Sequence, residues 1–247
     1  EYWAARTFSL PCAGAVHTGW VRWQFDTAQC KLQLEVSDGL CKVLPTVIAR
    51  ARAALDLDAD PQAINAVLGS QAPSAQFLGS QAPSAQFLGS QAQGVQARSP
   101  HARSPQALSA QGHPLGKDMS GIRVPGSLDG FEVAVRAIVG QQVTVATGRT
   151  LTQRLVNTFG QPIATPYPQL TRLFPTAQAL AQATPDALGA LGIVKQRQAA
   201  ILALAGAVDS GALDLNAPAN ALATIEQLKA LPGIGDWTAQ YIAMRAL

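Results

Sequence analysis

Twelve residues near the end of the chain carry its strongest chemical signal: Leu228-Lys229-Ala230-Leu231-Pro232-Gly233-Ile234-Gly235-Asp236-Trp237-Thr238-Ala239. A helix running through Leu228 stops at Leu231, because Pro232 cannot supply the next helical N–H. Gly233 and Gly235 flank one apolar residue, Ile234, which anchors the turn inward. Glycines admit unusual backbone angles and let an external group approach the main chain. A second helix starts at once from Asp236, and its first N–H groups have no intrahelical acceptor. Such a turn presents donors to an anion, a phosphate in particular. Trp237 and Tyr241 are four residues apart, hence on one face of that second helix. Their electron-rich rings favour a cationic partner, although the same spacing also suits two core residues. Asp236 reads as a first-turn acid that complements the helix dipole.

The elements that must hold this turn are helical. Asp129 with Glu132 makes a capping box ahead of Phe131, Val135, Ile138 and Val139, and Gly140 closes that helix. A second helix is expected from about Val143 to Phe159, ending at Gly160. Thr184-Pro185-Asp186 is an N-cap, a first-turn proline and a first-turn acid. An alanine-rich helix follows from Val194 to Val208, then one lined by Leu222, Ile225 and Leu228, then a last one from Asp236 to Leu247. Residues 121–247 show no strand signal. Residues 1–68 differ. Val21 to Phe25 and Lys31 to Val36 alternate apolar and polar residues as half-buried strands do, with Asp26-Thr27-Ala28-Gln29 as the loop between them. Leu40, Leu44, Val47, Ile48, Ala51 and Leu55 then fall at helical spacing. The fold class is α+β, with a small antiparallel sheet unit and an all-α unit.

Between the two, Gly69 to Leu78 recurs unchanged as Gly79 to Leu88, and a third copy starts at Gly89. Gly, Ser, Gln, Pro and Ala dominate the zone 69–120, which reads as a disordered insertion, a solvated spacer. The 247 residues suffice for one large or two ordinary domains, and 48% apolar residues suffice for a core. A net charge of +3 neither demands nor excludes a polyanion partner, since the placement of the basic groups decides. No run of about 18 apolar residues exists, so no membrane span is expected. Cys12, Cys30 and Cys41 have no metal-ligand spacing, and their odd number leaves no closed disulfide set. A reducing cytoplasm fits. Position 1 is Glu and no targeting motif follows, so the chain is expected to be a piece of something longer.

The Pro-Gly-Ile-Gly segment between two amphipathic helices resembles the helix-hairpin-helix element of DNA-binding proteins. Residues 121–247 as a whole resemble the helix-hairpin-helix base-excision DNA glycosylases, and within them the bacterial DNA-3-methyladenine glycosylase II group. The landmarks are Arg123-Val124-Pro125-Gly126, Asp129-Gly130-Phe131-Glu132, Arg136 through Val143, Leu191-Gly192-Ile193, and Pro232 through Tyr241. The N-terminal zone is similar to that group's small antiparallel sheet domain, entered partway. A fusion behind an alkylation-response regulator also occurs in the group, and Glu1 is consistent with a cut from such a chain.

The resemblance implies a partner, double-stranded DNA carrying alkylated bases, met by a monomer in the bacterial cytoplasm beside the nucleoid. It implies that Gly233, Ile234, Gly235 and Thr238 grip a phosphate. A wedge at Gln141-Gln142, with Gln142 at its tip, fills the gap left by the extruded base; the two amides also suit capping or packing. Tyr241 matches the group's base-stacking tyrosine, and Trp237 is its pocket neighbour or its core support. The carbonyls of Lys229, Leu231 and Gly233 match those that hold a monovalent cation, Na+ or K+, in the family; no other cofactor is implied. Backbone-cutting relatives carry a lysine nucleophile where this chain has Trp237, so the resemblance implies a monofunctional enzyme. Their cysteine cluster for an iron–sulfur centre has no counterpart here. The family's catalytic Asp lies about twenty residues beyond the position of Trp237. That point is past Leu247, so the chain as written is expected to lack an activity that its longer parent has.

Two other classes remain. One is a non-catalytic DNA-binding module using the same hairpin. The other is an interaction scaffold built on the repeat. Residues 121–247 hold seven acidic against nine basic residues. Arg123, Arg136, Lys195, Arg197, Lys229 and Arg245 are the candidate phosphate contacts.

Overall fold

The computed structural model describes residues 3–12, 14–70, 123–216 and 220–247, with backbone alone at 65 and 67–70. The expected spacer falls almost wholly on residues outside these; only Gly69 and Ser70 are inside, as the end of a helix. Three strands, β1 (Trp3–Cys12), β2 (Ala15–Asp26) and β3 (Lys31–Val36), form an antiparallel sheet in the order β1-β2-β3. The expected hairpin is present, with Asp26 facing Lys31 and Val21 facing Val36. Strand β1 was not legible in the sequence. Its buried positions Ala5, Phe8 and Leu10 break the simple alternation, because the sheet is covered on both faces. Phe8 and Leu10 pack with Val21, Leu40, Val43, Val47 and Ala51 under helix α1 (Leu44–Ala54), which a 3-10 turn at Asp38–Val43 precedes. Gly19 is required beneath that layer, since a Cβ there would lie 2.8 Å from Leu40 Cγ. On the opposite face Trp3 and Trp20 meet Tyr167, with ring centroids 5.6 and 5.3 Å away. Leu44 and Ile48, expected inside, are exposed, as α1 turns only Val47 and Ala51 fully to the sheet. Helix α2 (Pro61–Ser70) follows.

The helical half comprises α3 (Gly130–Val139), α4 (Val145–Phe159), α5 (Ala177–Ala181), α6 (Pro185–Ala190), α7 (Lys195–Asp209), α8 (Ala221–Lys229) and α9 (Asp236–Ala246). Helix α3 is buried at nine of its ten residues, as befits a central helix, and its two charged residues, Glu132 and Arg136, share one face. It packs against α7 and α9, with Val135, Ile138, Leu204, Ile225, Leu228 and Ile242 in one core. The caps are local and legible. The side chains of Thr144, Thr176, Thr184 and Asn220 accept from Thr147, Ala179, Ala187 and Ala223 N–H. Helix α4 therefore begins two residues later than expected. Leu222, expected on the apolar face of α8, is 76% exposed, while Ile225 and Leu228 are buried with Thr224. One isolated antiparallel bridge, Pro162 with Arg172, interrupts the otherwise helical zone.

The expected capping box forms only by half. Asp129 accepts from the Phe131 and Glu132 amides, but the Glu132 side chain does not reach back. It instead pairs with Arg136 Nε at 2.7 Å and with Arg6 of β1. Burial alone raises the Glu132 carboxyl, yet the two guanidiniums outweigh that and hold it below its usual 4.5. This triad joins the sheet to α3, together with Leu128, which completes the N-terminal core, and Thr7 Oγ1, which donates to Arg172 O at 2.8 Å. Glu132→Gln, which leaves two guanidiniums facing a neutral amide, is expected to cost about 3 kcal/mol in urea unfolding at pH 7. A carboxyl depressed in the folded state stabilises above its unfolded pKa and loses that contribution as pH falls through the folded value. The gap between the two proteins should therefore narrow below about pH 4.5.

Candidate nucleic-acid interface

Helix α8 ends at Lys229 with Ala230 as its C-cap, and α9 starts after Gly235. In the tight loop between them Ile234 is buried and its N–H donates to Leu231 O at 3.3 Å. Gly233 has φ +75, and a Cβ on it would lie 3.1 Å from Ala200 Cβ and 3.4 Å from Gln196 O. Conformation and space both demand glycine there. Gly235 differs: its φ is −85 and nothing lies within 4 Å of an added Cβ, so it is glycine without steric need and its surface is open. No side chain caps α9, whereas α3, α4, α5, α6 and α8 all have side-chain caps. The α9 start is thus an open set of main-chain donors with positive helix-end potential. Asp236 sits at its edge, 3.5 Å from Lys229 Nζ, which also contacts Glu226 at 3.0 Å.

The turn joining α3 to α4 lies against this loop. Gln142 is exposed and has φ +52, a left-handed angle that few non-glycine residues adopt. Gln141 does not face solvent with it. Its Nε2 donates to Gly233 O at 3.0 Å and to Thr238 Oγ1 at 3.1 Å, while its carbonyl accepts from Arg197 Nη2. Thr238 is buried and turned to Gln141 rather than outward. So Gly235 and Gln142 are open, while Ile234, Thr238 and Gln141 build the support beneath them.

Trp237 and Tyr241 stack at 5.4 Å with their planes 11° apart. Trp237 is 60% exposed, which removes it from the core, and Tyr241 is half-buried beneath it. Tyr241 also borders a cleft of about 60 Å³ between α3 and α4, lined by Arg136, Val143, Val145 and Arg149 among others, with no acidic residue. A far larger cavity, about 810 Å³, lies between the sheet and the helices and does not reach either ring.

The basic candidates divide. Lys195 is exposed, Arg136 is committed to Glu132, and Arg197 holds Gln141. Arg123 is half-buried near the N-terminal edge of the helical half. Arg245, expected at the surface, is 4% exposed with Cζ 5.8 Å from the Tyr241 ring, and its Nε and Nη1 are buried without a hydrogen bond. Arg149, which borders the Tyr241 cleft, carried no sequence signal, because only the α3–α4 packing brings it there. The three cysteines are free and exposed, and no cluster of three metal-ligating side chains occurs among the described residues.

An open helix start, an exposed Gln142 and a stacked ring pair are carried on one helical scaffold. Residues 135–243 match the HhH-GPD superfamily base excision DNA repair protein family, and residues 1–85 match the AlkA N-terminal domain. The chain is thus similar to that family in its helical half and to the AlkA N-terminal domain in its sheet unit. In particular, it is 32% identical over 220 residues to DNA-3-methyladenine glycosylase 2 of Escherichia coli (strain K12), a match covering 89% of this chain and 62% of that protein. It is 34% identical over 204 residues to the probable bifunctional transcriptional activator/DNA repair enzyme AlkA of Mycobacterium tuberculosis, covering 83% of this chain and 33% of that one. The chain thus spans about three fifths of the first relative and a third of the second. Its fold is like that of a 3-methyladenine DNA-glycosylase from Archaeoglobus fulgidus, at TM-score 0.59 and 16% identity, covering 97% of this chain and 67% of that one. It is also like that of a Clostridium acetobutylicum 8-oxoguanine glycosylase/lyase solved with double-stranded DNA, at TM-score 0.56 and 15% identity, covering 97% and 66%.

The two glycines should separate in urea unfolding. Gly233→Ala, strained and crowded, is expected to cost about 1–3 kcal/mol, and Gly235→Ala less than about 0.5 kcal/mol. Gln142→Gly relieves a left-handed angle and is expected to gain about 0.5 kcal/mol after the added unfolded-chain entropy is subtracted.

Proposed function

We propose that this chain is the DNA-engaging part of a monofunctional glycosylase that hydrolyses the N-glycosidic bond of 3-methyladenine and related alkylated bases in duplex DNA. One observation carries the reading: the exposed start of α9 and the stacked Trp237–Tyr241 pair lie on the same helix, within two turns of each other. A backbone phosphate bound at Gly235 therefore sits at a set distance from two ring faces. Alkylated purines carry positive charge on the ring, and a π face attracts a cation by about 0.5–2 kcal/mol. The glycosidic bond is out of reach in the stack, so the base must be extruded at a cost of a few kcal/mol. The exposed Gln142 tip, rigid at its strained angle, suits the vacated space.

Hydrolysis also needs an anion beside the oxocarbenium-like sugar. The Tyr241 cleft has no acidic lining, Glu132 is consumed by two arginines, and Asp236 faces Lys229. We take the carboxylate to come from the part of the relatives' length that this chain does not span. The resemblance sets Trp237 where backbone-cutting relatives carry a Schiff-base lysine, which supports base removal without strand cleavage. A monovalent cation on the carbonyls of Lys229, Leu231 and Gly233 would add positive charge beside the phosphate. Leu231 O already accepts from Ile234 N–H and Gly233 O from Gln141, so these two oxygens offer only their second lone pairs. A second reading, a binding module without catalysis, rests on the open α9 start alone.

Fluorescence anisotropy with a duplex oligonucleotide tests the grip. Affinity should fall with salt with a log–log slope near −2, as for two phosphate contacts. Gly235→Glu, which sets a carboxylate in the open helix start, should weaken binding about tenfold, or about 1.4 kcal/mol. Salt-independent binding, or an unaffected Gly235→Glu variant, overturns the interface. Release of 3-methyladenine from methylated duplex by a longer form, lost when its cleft carboxylate is changed from Asp to Asn, separates the enzyme from the binding module.

A further inference from the structure

We propose that Gln141 is a positioning residue: a latch, braced by Arg197, that fixes the Gln142 tip relative to the phosphate-gripping loop. The inference rests on the interface proposed above but assigns to Gln141 a role other than touching DNA. Both hydrogens of its amide are used within the protein, one on Gly233 O at 3.0 Å and one on Thr238 Oγ1 at 3.1 Å. These bonds join loops 92 and 97 residues apart in sequence. They end at two residues of the hairpin and α9, while the other end is the immediate neighbour of Gln142. Both loops contain a left-handed residue, Gln142 at φ +52 and Gly233 at φ +75. Such angles persist only where surrounding contacts over-determine them.

The first turns of α7 supply those contacts for both loops. Arg197 Nη2 donates to the Gln141 carbonyl, and Gln196 O and Ala200 Cβ abut Gly233. One helix end thus braces the probe and the grip together, and the Gln141 amide closes the triangle. The consequence is mechanical. A bent duplex must meet the grip at its backbone and the tip at its gap simultaneously, and a displacement of about 1 Å between such groups can cost on the order of 100-fold. Binding to an undistorted duplex uses the grip alone and does not feel the spacing.

The test uses the full chain and two duplexes, one undamaged and one with a tetrahydrofuran abasic-site analogue. Gln141→Leu keeps the bulk and removes both donors. It should lower preference for the abasic duplex about tenfold, the loss on the abasic duplex exceeding any loss on the undamaged one. Gln142→Ala should give a similar loss alone and little further loss beside Gln141→Leu, since a misplaced tip has nothing left to lose. Arg197→Gln is the second variant, should Gln141→Leu fail to fold. A merely structural role would weaken both duplexes alike. In the free protein, amide exchange at 142–143 and 233–235 should rise together in the Gln141→Leu variant. Unchanged preference overturns the positioning role, as does exchange that rises in one loop alone. If the unaltered chain shows no abasic preference, the interface reading fails instead, and the exchange result still decides whether the two loops are latched.

Discussion

The structure turns on a helix that begins without a side-chain cap. Five other helices use Asp, Thr or Asn at that position, whereas α9 shares with α1 and α7 a start that no side chain caps. Main-chain donors left open at a helix start are stabilised by an anion or by water. Everything near that point serves to keep it open and still. Ile234 pins the loop into the core, Gly233 lets α7 approach closely, and Gly235 puts no side chain in front of the amides.

The use of charge is consistent with this. Only 13% of the residues are charged, and many of the cations are spent inside. Arg6 and Arg136 flank Glu132; Arg50, Arg154, Arg172 and Arg197 each donate to a main-chain carbonyl. Four guanidinium groups thus brace main-chain carbonyls. The main-chain amides at the start of α9 then stand open at a place fixed by the geometry of that helix. Arg245 is the exception, a buried cation beside the Tyr241 ring whose Nε and Nη1 have no hydrogen-bond partner among the described residues.

Much of this was readable because it is local. The hairpin of β2 and β3 and the Thr184 cap follow from interactions spanning a few residues. The Pro-Gly-Ile-Gly loop does too. Strand β1 escaped because its burial comes from two partners at once, α1 on one side and Tyr167 on the other. Leu222 and Ile48 misled because helical spacing places residues on one face without saying how wide a strip the neighbour covers.

The sequence by itself determined the helix ends, the tight loop and the aromatic pair at one turn's spacing, since short-range sterics and capping decide these within four residues. Only the tertiary structure decided which of those groups remain available. Gln141 and Gln142 are adjacent and alike in type, yet one is consumed by Gly233 and Thr238 and the other stands exposed. Glu132 looked like a cap and became the partner of an arginine 126 residues away. Side-chain chemistry is written in the chain; whether a given donor still has a free direction depends on which distant backbone the fold brings to it.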